Sequence, residues 1–294
     1  MHSKWFIALF LFIGIQEMMV AQKSNKLIVA TYNLRYNNPQ DGINAWPNRV
    51  SLVKGLIQFH DWDIFGTQEV LYNQIQDLDA LSEYGRIGVG RDDGKLAGEF
   101  SALFYKKSRI EVIQSGNFWL STTPGEPTMG WDAKCCKRIC TWAKCKDKQN
   151  GKLFYVFNAH FDHEGVVARL ESAKLIHQKA TEISKGLPVI IMGDFNSLPE
   201  SDAVKILNDA GYRDSFTHSK QAPYGPVGTF NSFNWNAELN RRIDYIFLGK
   251  YFNIEKYGVL TDSFEKRYPS DHQPVRWFCL GENSIHKIFI TFSG

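Results

Sequence analysis

The stretch Val189-Ile190-Ile191-Met192-Gly193-Asp194-Phe195-Asn196 constrains this chain more than any other. Its four apolar residues, bounded by Pro188 and Gly193, read as a buried strand that the fold must cover. The run breaks at Gly193 and delivers Asp194 and Asn196 on one face, two residues apart. A carboxylate beside a carboxamide at a strand end suits chemistry on phosphate. One polarises a water, and the other donates to an anionic oxygen. The same Asp-x-Asn pattern also closes ordinary turns through an Asx hydrogen bond, so other strand ends must decide between the readings.

They do carry matching chemistry. An apolar strand over 27–32 ends in Asn33-Leu34-Arg35, and a strand over 64–67 ends in Gln68-Glu69. A strand over 153–159 ends in His160-Phe161-Asp162-His163. On a straight strand His160 and His163 cannot face one ion; His160 is expected to point into the site, with Asp162 and His163 opening the next helix. The strand over 242–248 places Asp244 opposite Ile243 and Tyr245, and Ser270-Asp271-His272 leads into a closing strand. Helices are predicted from about residue 48, over 71–81, up to residue 184, and from Pro199 through residue 207. Hairpins and βαβ units alternate irregularly, which favours mixed sheets covered by helices. The glycine-rich 88–94 segment reads as a loop.

Composition bounds the function. The 294 residues carry a formal charge of +3, with the basic residues dispersed, so no polyanionic partner is demanded. Lys4, the apolar run over 5–15 and the small Ala21 describe a secretory leader over 1–21, too short for a comfortable membrane span. The mature chain, 22–294, is then exported to the periplasm or the extracellular space. Five cysteines sit oddly: Cys135, Cys136, Cys140 and Cys145 crowd one segment and Cys279 lies apart. No Cys-x-x-Cys pair or neighbouring His supports zinc, so they read as buried strand thiols with at most one or two local bridges.

Taken together, Asn33, Glu69, His160, Asp194-x-Asn196, Asp244 and Asp271-His272 resemble the signature of the endonuclease/exonuclease/phosphatase superfamily, the deoxyribonuclease-I-like fold. Gly90-Arg91-Asp92-Asp93-Gly94, Gly98-Glu99-Phe100-Ser101 and Lys137-Arg138 are similar to one bacterial branch of it, in which the Cys135-Cys136 pair is a departure. The resemblance implies an α/β fold, a four-layer sandwich of two mixed sheets packed face to face with helices outside. It implies a Mg²⁺ site, with Mn²⁺ as substitute, built from Asn33, Glu69 and Asp271. It further implies that Asp194 aligns the attacking water and Asn196 contacts the phosphate. His160 would bond a phosphate oxygen or assist the leaving group, and Asp244 would orient His272.

The expected activity is hydrolysis of a phosphate ester, a phosphodiester before a monoester, on a small molecule, a lipid headgroup or nucleic acid. A nuclease using the same site is one alternative, disfavoured by the modest charge. An inert binding module is another, disfavoured because Glu69, Asp194, Asp271 and His272 are all present. Trp46, Trp131, Phe161 and Trp235 could stack on substrate, though packing accounts for each as well.

Overall fold

The computed structural model describes residues 26–278. The expected leader over 1–21, Cys279 and the tail over 281–294 lie outside the described residues. The chain order is β1 (Ile28–Asn33), two short 3₁₀ turns (Pro39–Asn44, Trp46–Asn48), α1 (Val50–His60), β2 (Ile64–Gln68), α2 (Tyr72–Asp79), β3 (Tyr84–Ile87) and β4 (Leu103–Lys106). Next come β5 (Ile110–Trp119), β6 (Ile139–Asp147), β7 (Leu153–His160), α3 (Val166–Ser184), β8 (Val189–Asp194), α4 (Asp202–Asp209) and β9 (Arg213–Asp214). The chain closes with β10 (Asp244–Leu248), β11 (Lys256–Val259) and β12 (Val275–Phe278). Sheets run β11-β12-β1-β2-β4-β3 and β5-β6-β7-β8-β10-β9. The β1–β2 and β7–β8 pairs are parallel and the other pairs antiparallel, so both sheets are mixed.

Side-chain parity explains the layers. Along β8, Val189 and Ile191 pack outward with Ile176 and Leu207 of α3 and α4, whereas Ile190 and Met192 pack inward with Val29, Ile64 and Trp277 of the other sheet. On β1, Val29 faces inward and Ala30 and Tyr32 face outward, among Val53 and Ile57 of α1 and Leu78 of α2. The molecule is therefore a four-layer α/β sandwich, helices–sheet–sheet–helices, and a strand buried on both faces reads as a continuous apolar run.

The inner columns change character along their length. Ile190-Met192 continues to Asp194, Leu248-Ile246 to Asp244, Phe154-Val156 to Asn158 and His160, and Val29-Thr31 to Asn33. Register pairs Asp194 with Asp244 on one side and with His160 on the other, so the polar ends arrive level. Between the apolar floor and the charged end lies a band of neutral polar groups. Asn158 reaches across the sandwich: its Nδ2 donates to Thr67 O and Ala102 O, both at 3.0 Å, and its Oδ1 accepts from Gln68 Nε2 at 2.7 Å. Gln68 also donates to Thr31 Oγ1 at 3.0 Å. Gly66 makes room, since a Cβ there would lie 2.4 Å from Asn158 Oδ1.

Several element ends differ from the sequence reading. Helix α4 starts at Asp202, with Ser201 as its cap, instead of at Pro199. The hairpin that the sequence suggests over 100–105 and 110–113 is shifted: β4 begins at Leu103 and β5 runs on to Trp119. Helix α3 opens at Val166, because Asp162 Oδ1 takes the amides of Glu164 and Gly165 and Asp132 takes those of Val167 and Ala168. Capping by a residue far away in sequence has no local signature. Among the described residues no helix is long and apolar enough to cross a membrane.

The inter-sheet clasp carries a stability expectation. Asn158→Leu would remove three buried hydrogen bonds across the sandwich, one from the Gln68 amide and two to the Thr67 and Ala102 carbonyls, and should lower the free energy of unfolding by about 3 kcal/mol in urea titrations. A loss below about 0.5 kcal/mol would show that water or neighbouring groups satisfy the band without Asn158.

Candidate active site

The charged ends of the inner columns open into a cleft of about 650 Å³. At its centre is Asp194, 1 % exposed, whose Oδ2 accepts from Asn33 Nδ2 at 2.9 Å. His160 Nε2 stands 3.6 Å from that oxygen on one side and His272 Nε2 stands 3.8 Å from it on the other. Asp194 Oδ1 accepts from Asn196 N at 2.9 Å, the Asx bond of a turn, so the two readings of Asp-x-Asn hold together. Asn196 has φ +45, and its Nδ2 lies 3.1 Å from both Phe161 O and His160 Nε2.

The two histidines are held in opposite states. His272 Nδ1 lies 2.9 Å from Asp244 Oδ2, which also accepts from Thr229 Oγ1 at 2.6 Å. Burial works against charge on His272, but Asp244, Asp194 and Asp271 outweigh it and raise its pKa to about 10. His160 is pushed down to about 3, first by burial and then by Arg138, whose Nη1 donates toward His160 Nδ1 at 3.1 Å. One ring is an imidazolium and the other is neutral through the whole physiological range. Burial and the neighbouring Asp244 raise the pKa of Asp194, and burial together with Glu69 raises that of Asp271.

Glu69 is a half-buried carboxylate of the cleft, at φ +63 just past the end of β2. Asn33 Nδ2 donates to its Oε1 at 3.0 Å, and Tyr36 N donates to its Oε2 at 3.3 Å. Arg35 lies 3.9 Å from both Glu69 and Asp271 and pairs bidentately with Asp41. Of the eight residues singled out from sequence, Glu69, His160, Asp194, Asn196, Asp271 and His272 line this cleft, while Asn33 bonds to Glu69 and Asp194, and Asp244 to His272, behind it. Asn33 Oδ1 accepts from Arg35 N at 2.9 Å and its Nδ2 donates to two carboxylates, so the side chain orients Glu69 against Asp194. Ligand atoms of Glu69, Asp194 and His272 lie within 4.8 Å of one another. The carboxylate oxygens of Glu69 and Asp194 are the acidic part of that group, and Asp271 lies alongside in the same cleft. Clustered carboxylates of this kind fit a hard divalent cation, which would offset the burial and the neighbouring negative charge that raise Asp194 and Asp271.

The site also contains groups that sequence reasoning passed over. Arg138 donates to His160, to His163 Nδ1 at 2.7 Å and to Asp162 at 3.3 Å, resolving the paired histidines as neighbours of one guanidinium. Thr229 shares Asp244 with His272. Of the candidate stacking residues, Trp46 is buried and bonded to Asp77, Phe161 is buried against Phe195, and Trp235 stacks on Tyr268. The aromatic groups that line the cleft are Tyr36, Phe230 and Phe233. Cys140 and Cys145 are buried thiols on β6, as expected, and Cys135–Cys136 is a bridge between adjacent residues that lines the cleft.

Residues 30–272 match the model of the Endonuclease/Exonuclease/phosphatase family. The chain belongs to that family. Members of the family are hydrolases of phosphate esters and generally depend on divalent metal. A family protein from Bacteroides thetaiotaomicron is 42% identical with a TM-score of 0.84, covering 88% of this chain and 99% of its own. The mannosyl-6-phosphatase of B. thetaiotaomicron VPI-5482 is 42% identical with a TM-score of 0.83, covering 87% of this chain and 100% of its own. A protein of Acanthamoeba polyphaga mimivirus is 26% identical over 251 residues, 79% of this chain and 91% of the relative.

The opposed histidines should shape the stability of the metal-free protein. Below pH 6.5 unfolded chains protonate His160 while the folded chain does not, so stability falls as pH drops from 6.5 toward 3. His272 binds its proton more tightly when folded, so its contribution is complete below pH 6.5 and is lost as pH rises through about 10. In urea titrations with EDTA, His160→Gln should flatten the acid limb and His272→Gln the alkaline limb. Parallel profiles for parent and variants would contradict the assigned charge states.

Proposed function

We propose that the protein is an exported, metal-dependent phosphoesterase acting on a phosphate ester of a small, hydroxyl-rich molecule such as a sugar. The convergence of both imidazole Nε2 atoms on Asp194 Oδ2, from 3.6 and 3.8 Å, carries the reading. A phosphoryl group seated above that oxygen meets a neutral donor in His160, a cation in His272 and the Asn196 amide. Asp194 lies where an attacking water must be aligned, and its raised pKa suits it to accept a proton. His272 stays charged against Asp244 and stabilises negative charge that grows on the phosphoryl oxygens. Glu69, with Asp194 and Asp271, would hold Mg²⁺ or Mn²⁺, which when bound neutralises phosphoryl charge.

The sugar assignment leans on the relative named as a mannosyl-6-phosphatase, in preference to the phosphodiester favoured by sequence. A cleft of about 650 Å³ is of small-molecule size. Export rests on the leader read over 1–21, and the bridged Cys135–Cys136 pair suits an oxidising compartment.

EDTA should abolish turnover of p-nitrophenyl phosphate, bis-p-nitrophenyl phosphate or a hexose 6-phosphate, and Mg²⁺ or Mn²⁺ should restore it. Glu69→Gln should weaken metal binding at least tenfold by calorimetry, an order of magnitude typical of losing a charged ligand. Full turnover in chelator ends the metal assignment.

The dyad makes a separate demand. His272→Ala and Asp244→Asn should each cost on the order of a hundredfold in kcat. The double variant should lose little more than the worse single, because the two act as a unit. Losses that multiply would make Asp244 a structural partner of Thr229 alone.

A further inference from the structure

The family chemistry leaves one wall of the cleft unused. The loop over 88–99 is closed on itself: Arg91 N donates to Glu99 O at 3.0 Å, Asp92 N to Ala97 O at 3.0 Å, and Asp93 Oδ1 takes the amides of Lys95 and Ala97. Gly98, at φ +81, lies so close to the Asp92 carboxylate that a Cβ would stand 2.5 Å from it. This compact closure delivers Arg91 and Glu99 side by side into the cleft, with Arg91 Nη1 2.5 Å from Glu99 Oε2. Lys137 Nζ bonds Asp92 O at 2.7 Å and ties the Cys135–Cys136 bridge to the same loop.

The position of Glu99 relative to His160 is informative. Glu99 Oε2 stands 3.7 Å from Nδ1 of His160, whereas Asp194 and Asn196 face Nε2. The imidazole ring thus separates Glu99 from the phosphoryl position. A carboxylate beside a phosphate repels it, but one ring-width away, and already paired with a guanidinium, it presents acceptors and donors with little net charge. Hydroxyl groups match that surface; a second phosphate does not. Arg91 Nε is buried, so the guanidinium serves to fix the Glu99 carboxylate on the wall. The bridge next to it has sulfur atoms and no strong donor, and it offers an apolar plate to the carbon face of a ring.

We infer that Glu99 and Arg91, flanked by the Cys135–Cys136 bridge, form the subsite that binds the hydroxyl-bearing part of the substrate and selects polyol phosphates over aryl and nucleotide esters. The inference rests on the phosphoesterase reading of the neighbouring site. Glu99 would accept from one or two substrate hydroxyls, and Arg91 would hold the carboxylate in place.

The test compares kcat/KM for mannose 6-phosphate and for p-nitrophenyl phosphate in the parent, Glu99→Gln and the Cys135→Ser/Cys136→Ser double variant. Glu99→Gln can still accept from Arg91, so the loop is expected to fold. It should lower the ratio of sugar ester to aryl ester at least tenfold, a cost typical of losing a hydrogen bond to a charged group. The double cysteine variant should lower the ratio in the same direction. An unchanged ratio in Glu99→Gln overturns the inference, whether both esters are untouched or both fall equally, since an equal fall would place Glu99 in the chemical step. Calorimetric binding of mannose 6-phosphate and phenyl phosphate in Mg²⁺ gives a readout independent of turnover. If the parent hydrolyses neither ester, the activity reading fails and the wall is judged on binding alone. A tenfold weaker sugar ester with phenyl phosphate held within twofold supports it; equal effects, or no sugar ester binding by the parent, overturn it.

Discussion

The structure depends on how the two inner sheet faces meet. Each column must be apolar enough to bury at one end and polar enough to work at the other, and the change must occur at the same height in both sheets. Asn158 sets that height, because one side chain of the second sheet satisfies two carbonyls and a carboxamide of the first. A slip of one residue in any inner strand would turn its whole column outward and leave these groups unpaired in the interior. Above the band, Asn33 donates to Glu69 and to Asp194 from opposite sheets, so the site is itself part of the clasp. Isolated carboxylates as buried as Asp194 and Asp244 would be costly; here each is held by donors from the facing strand or loop.

The same side chain does two jobs because its surroundings differ. His160 and His272 are both nearly fully buried, and burial disfavours charge on each. The difference lies in what Nδ1 is hydrogen-bonded to: Arg138 for one ring and Asp244 for the other. A guanidinium on that side leaves a neutral donor or acceptor, and a carboxylate leaves a cation. Placing the two rings on either side of Asp194 lets one cleft bind an anion and stabilise its developing charge without bringing two cations together.

Much of this was legible in the chain. The apolar run at 189–192, with polar residues following it, revealed a doubly covered strand and its working end. The same pattern at Asn33, His160 and Asp244 marked the other ends. Three kinds of feature were not legible. Arg138 and Thr229 act across strands, and a residue whose partner is distant in sequence leaves no periodicity. Arg91 and Glu99 stand in stretches that carried a resemblance but no role, because the loop closure that brings them together, with Gly98 at its tight point, has no periodic signature. The amide of Asn33 could have pointed either way in a sequence argument; the bond from Arg35 N to its carbonyl decides its direction.

Glu69 shows why strand alternation alone cannot build such a site. Inward positions on β2 are Ile64, Gly66 and Gln68, so the next residue should point toward α1 and α2, away from the other sheet. The backbone at Glu69 instead turns left-handed, at φ +63, and returns the side chain to the cleft. Arg35 and Asn196 leave β1 and β8 in the same way, at φ +55 and +45. Each such turn in a residue other than glycine costs on the order of 1 kcal/mol. Glycine would remove that cost and the functional group with it. The cost falls just beyond the strand ends, where the ladder has stopped and no pairing is lost; of the three, only Glu69 would otherwise leave the inner face, since Arg35 and Asn196 continue the inner series of Asn33 and Asp194. The strain is affordable there because the clasp beneath holds both sheets in register, and it is the reason the charged end of the sandwich, and not its apolar end, carries the cleft.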